Sequence, residues 1–195
     1  ISDSVTEIGM GAFEHCSSLR NVNIPDGVTS INGVFACCDG LREIRIPDSV
    51  TDIDGAFLQC SSLRNVNIPD GVTSVGSYTF SFCSSLRSVR IPRGVTSISH
   101  HVFNGCDNLT DIYYDGDEDD WESIDIKSGN DPLWDAEIHY NSKWNHYLFQ
   151  SPSTEYNNSL ALVAAEMSEK AEQCEKTEEG EAAIRDLYNS YGLTD

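Results

Sequence analysis

Apolar residues recur along residues 1–108 at intervals of 22 or 23 positions, and polar residues fill the same places between them in each copy. The best-kept apolar columns are Phe13, Phe35, Phe57, Phe80 and Phe103; Leu19, Leu41, Leu63, Leu86 and Leu109; Ile24, Ile46, Ile68 and Ile91; and Cys16, Cys38, Cys60, Cys83 and Cys106. A fixed period of about 20–50 residues predicts a solenoid, in which stacked laps bury a shared core that no single lap can bury alone.

One lap, residues 16–37, illustrates the local structure that the pattern predicts. The alternation of Val22 and Ile24 with polar residues is typical of a short strand, and Pro25 ends it because proline has no N–H to donate. A second apolar pair follows, and Gly33 and Phe35 then lead into what we expect to be a short turn of helix. Each lap is therefore predicted to contribute a strand and a helical turn.

The repeated string C-x-x-L-x-x-[VI]-x-I-P-x-x-V-T-x-[IV] resembles the BspA-like leucine-rich repeat of bacterial surface proteins. Residues 109–141 resemble the terminal segment that closes such arrays. The predicted fold class is an α/β solenoid: a right-handed leucine-rich repeat array of about five 22–23-residue repeats with a C-terminal cap and a short helical extension. The resemblance implies a secreted or cell-surface protein with a role in adhesion.

Four parts are expected along the chain: the array at 1–108, its cap at 109–141, a linker at 142–155 and a helical segment at 156–195. The last part has apolar residues at a period near 3.6. It resembles the helical lead-in that precedes lipase-like α/β-hydrolase domains in some bacterial surface proteins. On that resemblance any catalytic residues would follow Asp195, and the chain would be a piece of a longer protein.

The negative net charge of the chain argues against nucleic acids and anionic lipids as partners. The net charge is −20, from 12 basic and 32 acidic residues. Residues 1–108 contain 7 basic and 11 acidic side chains, a net −4, whereas 109–195 contain 5 and 21, a net −16. Such a surface repels nucleic-acid phosphates and anionic lipids. No apolar run approaches the roughly 18–20 residues that span a bilayer, so we expect no membrane insertion in this segment.

The outward positions of the predicted strands are the candidate binding surface. The candidate residues are Arg20, Arg42, Arg64, Arg87, Asn23, Arg45, Asn67, Arg90 and Tyr113. Arginine binds carboxylates with two parallel hydrogen bonds and stacks on aromatic rings, which suits a ligand-binding face. In the alternative interpretation, the arginines only pair with Glu43 and neighbouring acids and discourage pairing at the sheet edge.

The sequence contains no catalytic or cofactor-binding motif that we can identify, so no enzyme activity, cofactor or metal site is predicted. The acidic run at 115–120 fails the EF-hand template, because position 6 from Asp115 is Asp120 and position 12 is Ile126. Seven cysteines, an odd number with no C-x-x-C, do not resemble a disulfide framework. We expect the repeat cysteines to be small buried side chains.

The favoured function is a non-enzymatic interaction or adhesion module of a secreted or cell-surface bacterial protein. It would bind a protein or glycan on its strand face, including an extracellular protein of a host. One alternative is an accessory repeat domain of a secreted lipase-like hydrolase, and another is a spacer without a specific ligand.

Overall fold

The computed structural model describes residues 1–142, which lie in one compact unit, Ile1–Lys143. Its main sheet has four parallel strands in the order β1-β3-β5-β7: β1 Asn65–Asn67, β3 Ser88–Ile91, β5 Asp111–Tyr114 and β7 Glu137–His139. Its second sheet is also parallel, in the order β2-β4-β6: β2 Ser74–Val75, β4 Ser97–Ile98 and β6 Asp125–Ile126. Neighbouring strands come from successive laps, so the sequence period is one lap of a leucine-rich repeat solenoid.

The same two ladders extend into the first laps as isolated bridges. Asn23 bridges Arg45 in the line of the main sheet, and Ser30 bridges Asp52 in the line of the second. Within the strands, Val66, Val89 and Ile112 are fully buried and share one register. The polar residues on either side of them are partly exposed, as the alternation in the sequence predicts.

The core is a set of residue columns along the array. The phenylalanine rings stack on one another along the array. The distances between ring centroids are 5.5 Å for Phe13–Phe35, 5.9 Å for Phe35–Phe57, 5.6 Å for Phe57–Phe80 and 5.5 Å for Phe80–Phe103. All but Phe13 are fully buried, because each lap covers the ring of its neighbour. The leucine and isoleucine columns are buried in the same way from Leu41 and Ile24 onward.

The helical turn predicted in each lap is wrong for the described repeats. The segment after each second strand is a series of turns, and the two helices of residues 1–142 lie beyond the repeats. The backbone explains the difference: the N–H groups of Phe13, Phe35, Phe57 and Phe80 donate to carbonyls of the next lap at 3.0 Å. These donors are therefore used between laps and are not available to build a helix within one lap.

The cysteine column is buried as expected, but it also makes hydrogen bonds. Cys38, Cys60, Cys83 and Cys106 are fully buried, whereas Cys16, in the first of these laps, is exposed. Each buried Sγ donates to a phenylalanine carbonyl in the preceding lap, as Cys60 does to Phe35 at 3.2 Å and Cys106 to Phe80 at 3.1 Å. Burial raises the pKa of Cys60 and of Cys106 to about 12, which keeps both thiols protonated as donors.

The repeats are followed by a segment with helices α1 Glu118–Glu122 and α2 Pro132–Asp135, which lie between β5 and β7 in the chain. The ring of Trp121 meets Tyr114 edge-on at 5.2 Å, and Leu133 is fully buried. Asn130 is also buried and closes the stack: its Oδ1 accepts from the N–H of Phe103 at 3.0 Å. An amide side chain thus takes the place of the carbonyl that a further lap would supply.

Three carboxylates of the acidic run at 115–120 make structural contacts. Asp117 and Asp120 form a reciprocal capping box at the start of α1, with hydrogen bonds of 2.9 and 3.2 Å. Asp115 pairs with Arg90, and Asp120 also contacts Arg93 at 2.8 Å. These three carboxylates therefore cap a helix or pair with arginines.

No helix within residues 1–142 is long and apolar enough to cross a membrane. The linker predicted at 142–155 and the helical segment predicted at 156–195, with its resemblance to a hydrolase lead-in, lie outside the described residues except for Ser142.

Candidate functional site

The polar side of the main sheet carries the residues that the sequence singled out. Asn67 lies opposite Arg90, Arg90 opposite Tyr113, and Tyr113 opposite His139, in one register across β1, β3, β5 and β7. Arg45 occupies the equivalent place one lap before β1, beside Asn23. The repeat period therefore aligns Asn23, Arg45, Asn67, Arg90 and Tyr113 in one column.

A second column lies just before the strands and consists of Arg20, Arg42, Arg64 and Arg87. Their backbones form a continuous ladder: Arg42 N–H donates to Arg20 C=O at 3.3 Å, Arg64 to Arg42 at 3.3 Å, and Arg87 to Arg64 at 2.8 Å. We call these four residues the arginine row. Strand spacing sets the distance between neighbouring members at about 4.8 Å along the array.

All four side chains of the arginine row are exposed. Within residues 1–142 none of the four guanidinium groups has an ion pair or a side-chain hydrogen bond, and Glu43 does not pair with any of them. Four cations in line repel one another, and no acid of the described chain lies within ion-pair distance of their guanidinium groups. Within the part of the chain that the structure describes, the row therefore does not pair with neighbouring acids, which was the alternative left open by the sequence.

Arg90 differs from the row because its guanidinium is enclosed by partners from other laps. Only 12% of its side chain is exposed, and it donates to Asn67 Oδ1 at 3.1 Å, Ile68 C=O at 3.0 Å and Asp70 Oδ1 at 2.6 Å, as well as to both carboxylate oxygens of Asp115. Burial lowers the pKa of Arg90. The hydrogen bonds and charges of Asp115 and Asp70 raise this pKa by more than burial lowers it, so the net shift is upward. These contacts make Arg90 a cross-lap clamp.

The remaining candidates are partly committed to neighbours. Among residues 1–142, Arg45 pairs with Asp26 alone, at 3.2 Å, and 36% of its side chain is exposed. Asn67 is an acceptor for Arg90, and Asn23 is exposed. Tyr113 stacks on His139, with ring centroids 4.7 Å apart. The donors that remain available to a ligand are therefore concentrated in the arginine row.

We expect Arg90→Ala to lower the free energy of unfolding by about 2–3 kcal/mol, because it leaves the largely buried Asp115 without its counter-charge. Arg45→Ala removes one exposed pair in the same column and should cost less than about 1 kcal/mol. Urea denaturation of both variants measures the two changes. Equal effects would show that Arg90 is not a structural clamp.

Sequence reasoning did not single out one group on this face. Asp111, Glu137 and His139 each offer one donor atom, and these atoms all lie within 4.8 Å of one another. Glu137 and His139 stand two positions apart on β7, so the alternation Glu-Ile-His was a signal that both share a face. Their proximity to Asp111 depends on the pairing of β5 with β7.

Comparisons with known proteins also identify a leucine-rich repeat array. A family model described as a BspA-type leucine-rich repeat region matches residues 1–117 in six copies. No relative was found among curated proteins.

Two solved structures are similar in sequence as well as in fold. The first is a leucine-rich cell surface protein from Faecalibacterium prausnitzii, with 34% identity over 66% of this chain and 35% of that one, at a TM-score of 0.63. The second is a leucine-rich repeat protein from Bacteroides ovatus, with 35% identity over 58% of this chain and 30% of that one, at a TM-score of 0.54.

The pneumococcal vaccine antigen PcpA is similar in fold alone, with 18% identity over 84% of this chain and 38% of that one, at a TM-score of 0.55. This chain spans about a third of the length of each of the three solved relatives.

Proposed function

The chain belongs to the BspA-type leucine-rich repeat family, and from that premise we propose that it is a non-enzymatic interaction module of a cell-surface or secreted bacterial protein, binding a carboxylate-rich partner along its strand face. The observation that supports the proposal is the arginine row. Four exposed guanidinium groups lie in register, unpaired within residues 1–142.

The chemistry of the row selects the ligand class. Each guanidinium can form two parallel hydrogen bonds with one carboxylate, and a repeat near 4.8 Å suits an extended chain that presents acids at regular intervals. An acidic protein segment and a uronic-acid glycan share that chemistry.

The surroundings of the row agree with a binding surface. Crossover connections between parallel strands are right-handed in nearly all proteins, which favours the right-handed array that we expected. Laps joined all round by backbone hydrogen bonds hold the row on a rigid scaffold, so little ordering cost would fall on the protein when a ligand binds. The cell-surface description of the relative from F. prausnitzii supports an extracellular or surface location.

Binding of the full chain to immobilised poly-L-glutamate and polygalacturonate tests the proposal, with neutral dextran as reference. The variant R42Q/R64Q/R87Q removes three charges from the row and should weaken binding by about 10–100-fold, at about 0.5–1 kcal/mol for each exposed contact. Because the side chains of the row make no hydrogen bond or ion pair within residues 1–142, the free energy of unfolding of this variant should change little.

The matched control is Thr29→Glu, Thr73→Glu and Ser77→Glu, three exposed positions outside the row that change the net charge by the same amount. We expect the control to bind almost as well as the unaltered chain. Equal weakening in both variants would mean that net charge, and not the row, governs binding. Absence of binding to both polymers would refute a carboxylate-rich partner.

A further inference from the structure

Three potential metal ligands meet on strands β5 and β7. Asp111 and Glu137 lie directly opposite each other, and His139 follows two positions later on the same face of β7. His139 Nε2 is 2.9 Å from Asp111 Oδ1, and the ligand atoms of all three residues lie within 4.8 Å of one another. A tetrahedral ion with bonds near 2.0–2.1 Å needs ligands about 3.3 Å apart, so small side-chain rotations of Glu137 would complete the set.

The strand pairing gives this cluster an electrostatic reason to bind a cation. Two carboxylates directly opposite each other on neighbouring strands repel and destabilise the pairing. Within residues 1–142 no Lys or Arg forms an ion pair with either acid, and the one contact to a basic side chain is that of Asp111 with His139. A bound divalent ion would convert this repulsion into two favourable contacts.

Neighbouring groups already orient two of the three ligands. Thr110 Oγ1 donates to Asp111 Oδ2 at 2.7 Å, which leaves Oδ1 directed at His139. The imidazole ring lies on Tyr113 with an interplanar angle of 17°. Partners of this kind fix ligand orientation in protein metal sites, and the paired strands supply a rigid backbone beneath them.

We propose that Asp111, Glu137 and His139 form a binding site for a divalent transition-metal ion of the Zn²⁺ class. One imidazole nitrogen with two carboxylates suits Zn²⁺, Co²⁺ or Ni²⁺ better than Ca²⁺ or Mg²⁺, which prefer oxygen ligands alone. The ion takes the place of the proton between His139 Nε2 and Asp111 Oδ1, and the neutral imidazole then carries its proton on Nδ1. Three protein ligands leave a fourth position open to water or to a partner's side chain.

The site does not depend on the arginine row, and it has a structural consequence of its own. It connects β7 to β5, the strand beside it. Since the ion binds the folded state, it should stabilise the fold by mass action. At a metal concentration about one hundred times the dissociation constant, the Tm should rise by about 5–10 °C.

The test measures thermal unfolding of the full chain with ZnCl₂, together with the visible spectrum of the Co²⁺-loaded protein. His139→Ala and Glu137→Gln should lose the Tm shift and the Co²⁺ d–d bands. His100→Ala, which removes an exposed histidine outside the cluster, should keep both.

Thiols are the competing ligands, and they give a different spectrum. Binding through Cys16 or Cys37 would produce an intense sulfur-to-cobalt band in the near ultraviolet. That band, a Tm shift that persists in His139→Ala, or no response to Zn²⁺ in the unaltered chain would each overturn the proposal.

Discussion

Phe57→Ala is expected to lower the free energy of unfolding by about 4 kcal/mol, the largest effect of any single substitution proposed for this chain. Phe57 is fully buried and stacks on two rings, Phe35 on one side and Phe80 on the other. Removing it leaves a cavity at the centre of the column, which the laps cannot close because the backbone of each is hydrogen-bonded to the next.

Phe13→Ala is the control for Phe57→Ala, because Phe13 occupies the same column but is only partly buried and, within residues 1–142, stacks on Phe35 alone. We expect it to cost less than half as much. Urea denaturation followed by far-ultraviolet circular dichroism measures both values. A loss at Phe57 no greater than that at Phe13 would contradict a column that is stabilised by continuous stacking.

Asn130→Ala should lower the free energy of unfolding by about 3 kcal/mol. Asn130 Oδ1 accepts from Phe103 N–H at 3.0 Å, and Nδ2 donates to the carbonyls of Ser99 at 2.9 Å and Lys127 at 2.8 Å. Alanine leaves these three backbone groups without their partner at a buried position, where each unmade hydrogen bond is costly. The side chain acts as the terminal rung of the hydrogen-bond ladder.

Asn108→Ala is the matched control, since Asn108 is exposed and, within the described residues, its side chain makes one hydrogen bond, to Ser84 C=O at 2.7 Å. Water replaces that bond, so the change should be below about 1 kcal/mol. Hydrogen exchange adds a local measurement: the amide of Phe103 should lose protection in Asn130→Ala and keep it in Asn108→Ala. Unchanged protection in Asn130→Ala would contradict the terminal role.

Most of the fold could be predicted from the repeat period. Because each lap returns to the same place, the spacing of Phe, Leu, Ile and Cys was sufficient to predict one strand in each lap, the buried columns and the alignment of Arg20, Arg42, Arg64 and Arg87. The helical turn was mispredicted for a non-local reason: Phe35 N–H donates to Ala56, 21 residues away, and no pattern within one lap shows that.

In the candidate site, too, the sequence predicted the repeated positions but not the contacts between laps. Sequence alone placed the six candidate arginines on or beside strands, but it could not separate the exposed row from Arg90. That difference depends on Asp70 and Asp115, which lie 20 and 25 positions away and converge on one guanidinium. The Asp111–Glu137–His139 cluster has the same origin, since it depends on the pairing of β7 with β5.

The sequence by itself determined the lap, its core columns and which side chains share the strand face, because these follow from a period repeated in register. Only the tertiary structure decided which charges are neutralised, which carboxylates meet a histidine, and that Asn130 completes the last rung. Those outcomes depend on single side chains that break the repeat, and their partners are set by distances between laps that no periodicity encodes.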